Sequence, residues 1–435
     1  MRIAIKRSAR RSDYEEKQAP DLCWKLLALA VFFSPLRCYG LFTFGTFTGS
    51  LFKIFSLLMI VCTFGNLLIG RYKLYADTPV KIITAIIVFD LFTFAHSSSM
   101  GLFPTYFVAH IILLFSYIVM QNASGHIETL LKAYVFGSVI PGTLGLYQWI
   151  NVMTGRGVPQ LPFQRFLVTA GKDEIFLYGN YRVVGTLQDP SYYGLYMASV
   201  FIICVGLIIN QRKNAESKTE SISMLLIAIM SVACIFSSGS VTSMVNALAG
   251  LVFILLFNRN GLSKVVKYAF SIGIALIAAL YLMIYVFNYN PLEVLLSKLL
   301  IQSTASSVGS MYGRGIFFSD AINDFWRSPI WGVGFGNMTR SSGHNSFLTI
   351  LALQGLIGIV PHVILVLVYP FFSLKARMLF KNKSSVRNTL VICCAALFGM
   401  IVQIMGYDCL YKMDPTILVL LFPIATIRIG VGEIN

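Results

Sequence analysis

The residues best suited to chemistry fall in two stretches of this chain. In one, Tyr312-Gly-Arg314-Gly leads into an amphipathic segment, 315–326, whose apolar residues are Phe317, Phe318, Ile322, Phe325 and Trp326. Ser328-Pro-Ile-Trp-Gly332-Val-Gly334-Phe-Gly336-Asn follows, and then Gly343-His344-Asn345-Ser346 at the head of a long apolar run containing Gln354-Gly-Leu-Ile-Gly358. In the other, Tyr181-Arg182-Val-Val-Gly185-Thr186-Leu-Gln-Asp189-Pro190-Ser191 runs directly into an apolar segment. Guanidinium groups stay charged and grip phosphate oxygens bidentately, so Arg182 and Arg314 are candidates for holding a phosphate or pyrophosphate. Glycines at alternate positions permit tight turns with exposed N–H groups, which makes Gly334 and Gly336 candidate oxyanion donors. An imidazole with a reference pKa of about 6.5 suits base work, the role open to His344. Each has a plainer reading beside it. His344-Asn345 reads equally as a helix cap, with Asn345 supplying the oxygen. Pro190 suits the first turn of a helix. Arg327 and Arg340 read as snorkelling or solvated, and Asp320 and Asp324 as structural partners of Arg314 or Arg327.

The elements that position these residues are membrane-spanning. The chain is 57% hydrophobic and 12% charged, with a mean hydropathy of +0.75. A soluble domain of this length could not keep so much apolar surface from water. About 20 apolar residues are needed per span. Candidate spans are 22–38, 52–70, 80–96, 103–120, 129–150, 191–210, 221–237, 241–257, 268–287, 346–373, 388–406 and 415–430, which predicts an all-α polytopic architecture of about twelve helices. The basic start of the chain reads as preceding a retained first helix rather than a signal peptide.

Lys and Arg concentrate in alternate connectors: Arg71, Lys73 and Lys81; Arg212, Lys213 and Lys218; Arg259, Lys264 and Lys267; Lys375, Arg377, Lys381, Lys383 and Arg387. That bias predicts cytoplasmic termini and two long outer loops. The organisation is then helices in 1–150, a loop over 151–190, helices in 191–287, a second loop over 288–345 and helices in 346–435. Both loops are basic, with Arg156, Arg165, Lys172 and Arg182 in the first and Lys298, Arg314, Arg327 and Arg340 in the second. Long loops escape the insertion bias, so this charge is either incidental or meets an anionic substrate.

The excess of 34 Lys+Arg over 18 Asp+Glu sits in connectors, which argues against a nucleic-acid partner. The cysteines form no Cys-x-x-Cys pair, leaving a disulfide between Cys38 and Cys409 as one open option. No Asp-x-Asp and no His cluster at ligand spacing occurs, so no metal or cofactor is expected. Asp90, within a predicted span, reads first as a buried hydrogen bond or packing feature. Asp408, beside Tyr407 and Tyr411 in the last outer loop, is a candidate sugar contact, and Tyr178, Tyr181, Tyr192 and Tyr193 fit an interface belt or a glycan platform.

The order Arg, aromatic helix, Pro-x-x-Gly-x-Gly, His-Asn, Gly-x-x-Gly, together with the Arg-x-x-Gly-Thr segment at 182–186, resembles the shared signature of the O-antigen polymerase and O-antigen ligase families. The resemblance covers roughly 181–360. Ser237-Ser-Gly239-Ser resembles the family's Ser-Arg-Gly turn but lacks its Arg, which leans toward the polymerases. The resemblance implies a GT-C-like glycosyltransferase of the bacterial inner membrane, with a periplasmic site. It would transfer an undecaprenyl-pyrophosphate-linked glycan onto an acceptor sugar, inverting and without metal. Implied roles are catalysis for His344, Arg314 and Arg182, and substrate binding for Arg182, Arg314, Asn345, Gly334 and Gly336, to which Asp408 is added from its place beside Tyr407 and Tyr411. Implied partners are the lipid-linked oligosaccharide, membrane lipid and a chain-length regulator protein. A ligase acting on lipid A–core is the alternative; a transporter or flippase is the third.

Overall fold

The computed structural model describes residues 21–36, 40–44, 47–123, 126–156, 176–177, 180–187, 189–210, 216–257, 281, 285, 311–340, 342–379, 384–412 and 414–432. Helix starts follow local chemistry. The Asp21 side chain accepts from Cys23 N at the head of α1 (Leu22–Phe33), Ser50 from Lys53 N at α2 (Leu51–Leu68), and Asp77 from Val80 N at α3 (Thr78–Ala95). The chain continues through α4 (Phe103–Asn122), α5 (Ile127–Gly137), α6 (Val139–Met153), α7 (Pro190–Asn210), α8 (Glu216–Ser237) and α9 (Val241–Phe257). Then come α10 (Met311–Arg327), α11 (Ser346–Val363), a π turn (Ile364–Val368), α12 (Tyr369–Leu379), α13 (Ser384–Ile404) and α14 (Asp414–Gly432). Two short antiparallel hairpins were not expected: Gly40–Phe44 with Phe47–Ser50, and Phe176–Leu177 with Asn180–Tyr181.

Among the described residues, eight helical segments are long and apolar enough to cross a membrane, and three more apolar segments are shorter. This is the make-up of a polytopic membrane protein. Apart from Tyr281 and Tyr285, the span expected over 268–287 lies outside the described residues, as do 157–175 of the first long loop, 288–310 of the second, and Cys38. Cys409 is a buried free thiol.

Two expected single helices are broken instead. The segment 129–150 divides at Ser138, where Pro141 has no N–H to offer the Gly137 carbonyl one turn back. The segment 346–373 breaks at Gly355, whose φ of 66° and ψ of −166° suit only glycine. Here Gly332-Val-Gly334 enters the break. Val333 N donates to Ala352 O (2.8 Å) and Gly334 N to Leu353 O (3.1 Å) on one side, while Leu356 N donates to Pro329 O (2.9 Å) on the other. A Cβ on Gly355 would lie 2.4 Å from Ile330 O, and one on Gly332 2.2 Å from Leu353 O, so neither position admits a side chain.

The bundle packs around α7, of which 94% of the apolar window is buried. Its glycines bring neighbours close: Gly194 lies against Ser243 of α9, and Gly206 against Ile392 of α13. Polar ties lock the same helices, with Asn246 Nδ2 donating to Gln403 Oε1 (2.8 Å) and Gln403 Nε2 to Ser191 O (3.0 Å).

Candidate functional site

The site assembles where the head of α11 meets the loop 405–412 between α13 and α14. Asn345 caps α11, its Oδ1 accepting from Phe347 N (2.9 Å) and Leu348 N (3.1 Å), and its Nδ2 donates to Met405 O (2.8 Å). Ser346 Oγ accepts from Cys409 N (3.0 Å) and Leu410 N (3.1 Å). Asp408 is buried, and its Oδ2 accepts from Ser342 Oγ (2.9 Å), Thr349 Oγ1 (2.9 Å) and Lys412 Nζ (2.7 Å). Its other oxygen, Oδ1, is buried without a hydrogen-bond partner among the described residues. A buried carboxylate oxygen in that state is an acceptor awaiting a donor.

His344 sits on this frame in a left-handed conformation, φ 48°, found at no other non-glycine residue described. Such backbone is uncommon and has to be held by its surroundings. His344 N donates to Ser342 Oγ (3.1 Å), and the ring meets Phe317 of α10 edge-on at 4.3 Å. Burial pushes the imidazole pKa below its ordinary value, and the Arg314 charge pushes the same way, as does Lys412, against Asp408 and Asp189. His344 is therefore neutral at pH 7, the state a base requires.

Arg314 lies on the inward face of α10, and its own pKa is lowered by burial, against a raising influence of Tyr407. Of the two acids expected to pair with Arg314 or Arg327, one pairs with Arg327 and the other with Arg340. Asp324 pairs with Arg327 (2.8 Å) and also accepts from Thr339, while Asp320 pairs with Arg340 (2.5 Å), whose guanidinium lies 4.7 Å over the Phe317 ring. Arg314 is left half-buried with no carboxylate partner among the described residues.

The first motif reaches the same place by a different route. Asp189 caps α7, accepting from Ser191 N (2.6 Å), and its carboxylate lies near the Tyr407 hydroxyl, whose pKa is raised by burial first and by Asp189 next. Tyr192 packs on Tyr407 (5.4 Å between rings) and donates to Asp408 O (3.5 Å). Arg182 Nε donates to Ser238 O (3.0 Å) and its Nη2 to Ser191 Oγ (3.4 Å). It thus clamps the Ser237–Gly239 turn to the head of α7. His344, Arg314 and Asp408 are brought together, while Arg182 is engaged by backbone and hydroxyl on the α7 side of them.

Two expected roles change with this geometry. The Gly334 N–H is bonded to Leu353 O, and Gly336 packs 2.0 Å from Ser99 Oγ when a Cβ is placed on it. Gly334 sits in the break in α11 and offers no N–H to an anion, while Gly336 packs on Ser99 in the connector between α3 and α4. The Asn345 oxygen is taken up by the cap and one amide N–H by Met405 O, which fixes the backbone next to His344. Sequence reasoning passed over Lys412 and gave Tyr407 and Asp189 no joint role. The Asp408–Lys412 spacing of four was a visible signal, whereas the approach of Tyr407 to Asp189 joins residues 218 apart and left none.

Asp90 lies in a separate, fully buried network. Its carboxylate accepts from His110 Nδ1 (2.6 Å) and Gln354 Nε2 (2.7 Å); Gln354 Oε1 meets His362 Nε2 (3.1 Å), and His362 Nδ1 meets the Tyr411 hydroxyl (2.8 Å). The bonds all donate toward Asp90, which ties α3, α4 and both halves of α11 to the loop carrying Asp408. This is the buried hydrogen bonding expected of Asp90. Compared with known proteins, the chain matches no family model and no curated protein.

Proposed function

We propose that this protein is a glycosyltransferase that polymerises lipid-linked polysaccharide repeat units at the outer face of the bacterial cytoplasmic membrane, with both termini inside. The observation that carries the reading is Arg314, half-buried without an acid partner, beside a neutral His344 and an unpartnered Asp408 oxygen. A leaving pyrophosphate needs a cation, and an acceptor hydroxyl needs a base or an orienting acceptor. Arg314 would hold the undecaprenyl pyrophosphate. His344 would take the proton of the acceptor hydroxyl, and Asp408 Oδ1 would orient a sugar hydroxyl. The hydroxyl oxygen forms its bond to the anomeric carbon as the bond to pyrophosphate breaks, which inverts the centre and needs no protein nucleophile. Arg182 would support the pocket wall on the α7 side and reach phosphate only if a substrate displaced its present bonds. A chain-length regulator protein would be an external partner. The motif order shared with the O-antigen polymerases supports the same reading.

Arg314→Ala and His344→Ala should abolish polymer at normal membrane abundance, and polymer of wild-type length in either variant would refute the site. An O-antigen ligase would use the same residues, and what a deletion accumulates separates the two. Core capped by one repeat unit means a polymerase; unligated lipid-linked polymer means a ligase. The break at Gly355 beside buried Asp90 is the feature that favours a carrier. A carrier's deletion would strand lipid-linked units on the cytoplasmic leaflet.

A further inference from the structure

The outward face of α10 and the turn after it exposes five large apolar side chains, with Ser319 and Asn323 as exposed polar residues among them on the helix. Ile316, Ile322, Trp326, Ile330 and Trp331 are all exposed, Trp326 at 69%. The opposite face of the same helix carries Arg314, Ala321 and Asp324 inward, so the helix is amphipathic with both faces accounted for only if something apolar covers the outside. The patch is continuous with a span. Trp331 packs on Phe92 of α3 at 5.2 Å, and Val88, Leu91 and Phe92 form an exposed apolar strip on that helix. Phe92 is three residues before the end of α3, so at 1.5 Å per residue Trp331 lies only about 4–5 Å inside the helix end. With the end of α3 at the membrane surface, that would be near the headgroup–acyl boundary, where Trp is enriched. Arg327 and Arg340 are exposed beside the patch, each paired with an acid of α10.

We propose that α10 and Ser328–Trp331 lie flat in the bilayer interface, with Ile322, Trp326, Ile330 and Trp331 inserted among phospholipid acyl chains. The bilayer then sets the depth of Arg314 on the opposite face of the helix. This holds whichever reaction the site performs.

The chain has four Trp. Trp24 and Trp149 are buried, so Trp326 and Trp331 are the two that lipid can reach. The full-length Trp24→Phe/Trp149→Phe variant would be placed in nanodiscs of phosphatidylcholine brominated either near the carbonyl end or near mid-chain. Most of the emission should be lost to bromolipid, more with the shallow bromines, while aqueous acrylamide has little effect. If that variant is not recovered, wild type and Trp326→Phe/Trp331→Phe serve instead, and the bromine-quenched fraction should fall in the latter. Red-shifted emission quenched by acrylamide and not by bromolipid would put the patch in water and overturn the proposal. Blue emission insensitive to both quenchers would mean that protein, such as a second copy, covers the face, and would overturn it equally.

Discussion

Replacing Asp408 by Asn probes the frame and the chemistry together. The Oδ2 position takes two hydroxyl donors and the Lys412 ammonium, and the Lys412 side chain is only 15% exposed. An Asn placed with its oxygen at Oδ2 keeps both hydroxyl bonds but takes the Asp408 charge away from the ammonium. Breaking a buried pair from one side costs about 3–5 kcal/mol, and the residual exposure of Lys412 brings the expected figure to about 3 kcal/mol. Asp408→Ala also frees two hydroxyls, at about 1 kcal/mol each, for a total near 5 kcal/mol. Asp408→Asn/Lys412→Met removes both charges and should return most of the loss. The assay is thermal inactivation of detergent-purified protein, read as the fraction eluting as a monodisperse peak after heating. The expected order is wild type above the double variant, then Asn, then Ala. Activity should separate from stability, since Asn turns an NH₂ donor toward the place where Oδ1 accepts, so the double variant should be stable but inactive. An Asn variant as stable as wild type would refute the buried pairing, and an active double variant would refute the role given to Oδ1.

Activity should persist on acidification below the usual His range and then fall as His344 protonates, because burial and Arg314 lower its pKa. In Arg314→Gln the acid limb of the residual rate should move to higher pH; an unmoved limb would uncouple the two residues. Gly355→Ala should cost at least about 2 kcal/mol of stability from its φ of 66° and the neighbouring Ile330 carbonyl, whereas Gly65→Ala, with open space around it, should be harmless by the same heating assay. Asp90→Leu should lower membrane abundance by stranding His110 and Gln354, with recovery in Asp90→Leu/His110→Phe/Gln354→Leu. Abundance unchanged in the single variant would show that the network holds nothing together.

Eight spans were legible because twenty-residue apolar runs have few alternatives, and α10 was legible from the spacing of Phe317, Phe318, Ile322, Phe325 and Trp326. Arg314 and His344 were visible as residue types in a motif order, and Asp408 by its place beside Tyr407 and Tyr411. Their convergence was not, since it depends on Asn345 reaching Met405 and on Ser342 and Thr349 reaching Asp408 across about 60 residues. Gly334 misled for a related reason. Its N–H looks free in one dimension, and only the break at Gly355, itself set by a single φ, shows that it bonds Leu353 O. Asn345 was legible as a cap, and its bond to Met405 was not.

The central claim is that Arg314 and His344 act on a lipid-linked glycan. Purified protein incubated with one defined undecaprenyl-pyrophosphate repeat unit, its products sized on a gel, tests this most directly. The account predicts a ladder of lipid-linked oligomers from wild type, none from Arg314→Ala or His344→Ala, and an inverted linkage at each new bond. An unchanged repeat unit with active wild-type protein, or a ladder from either variant, would contradict it.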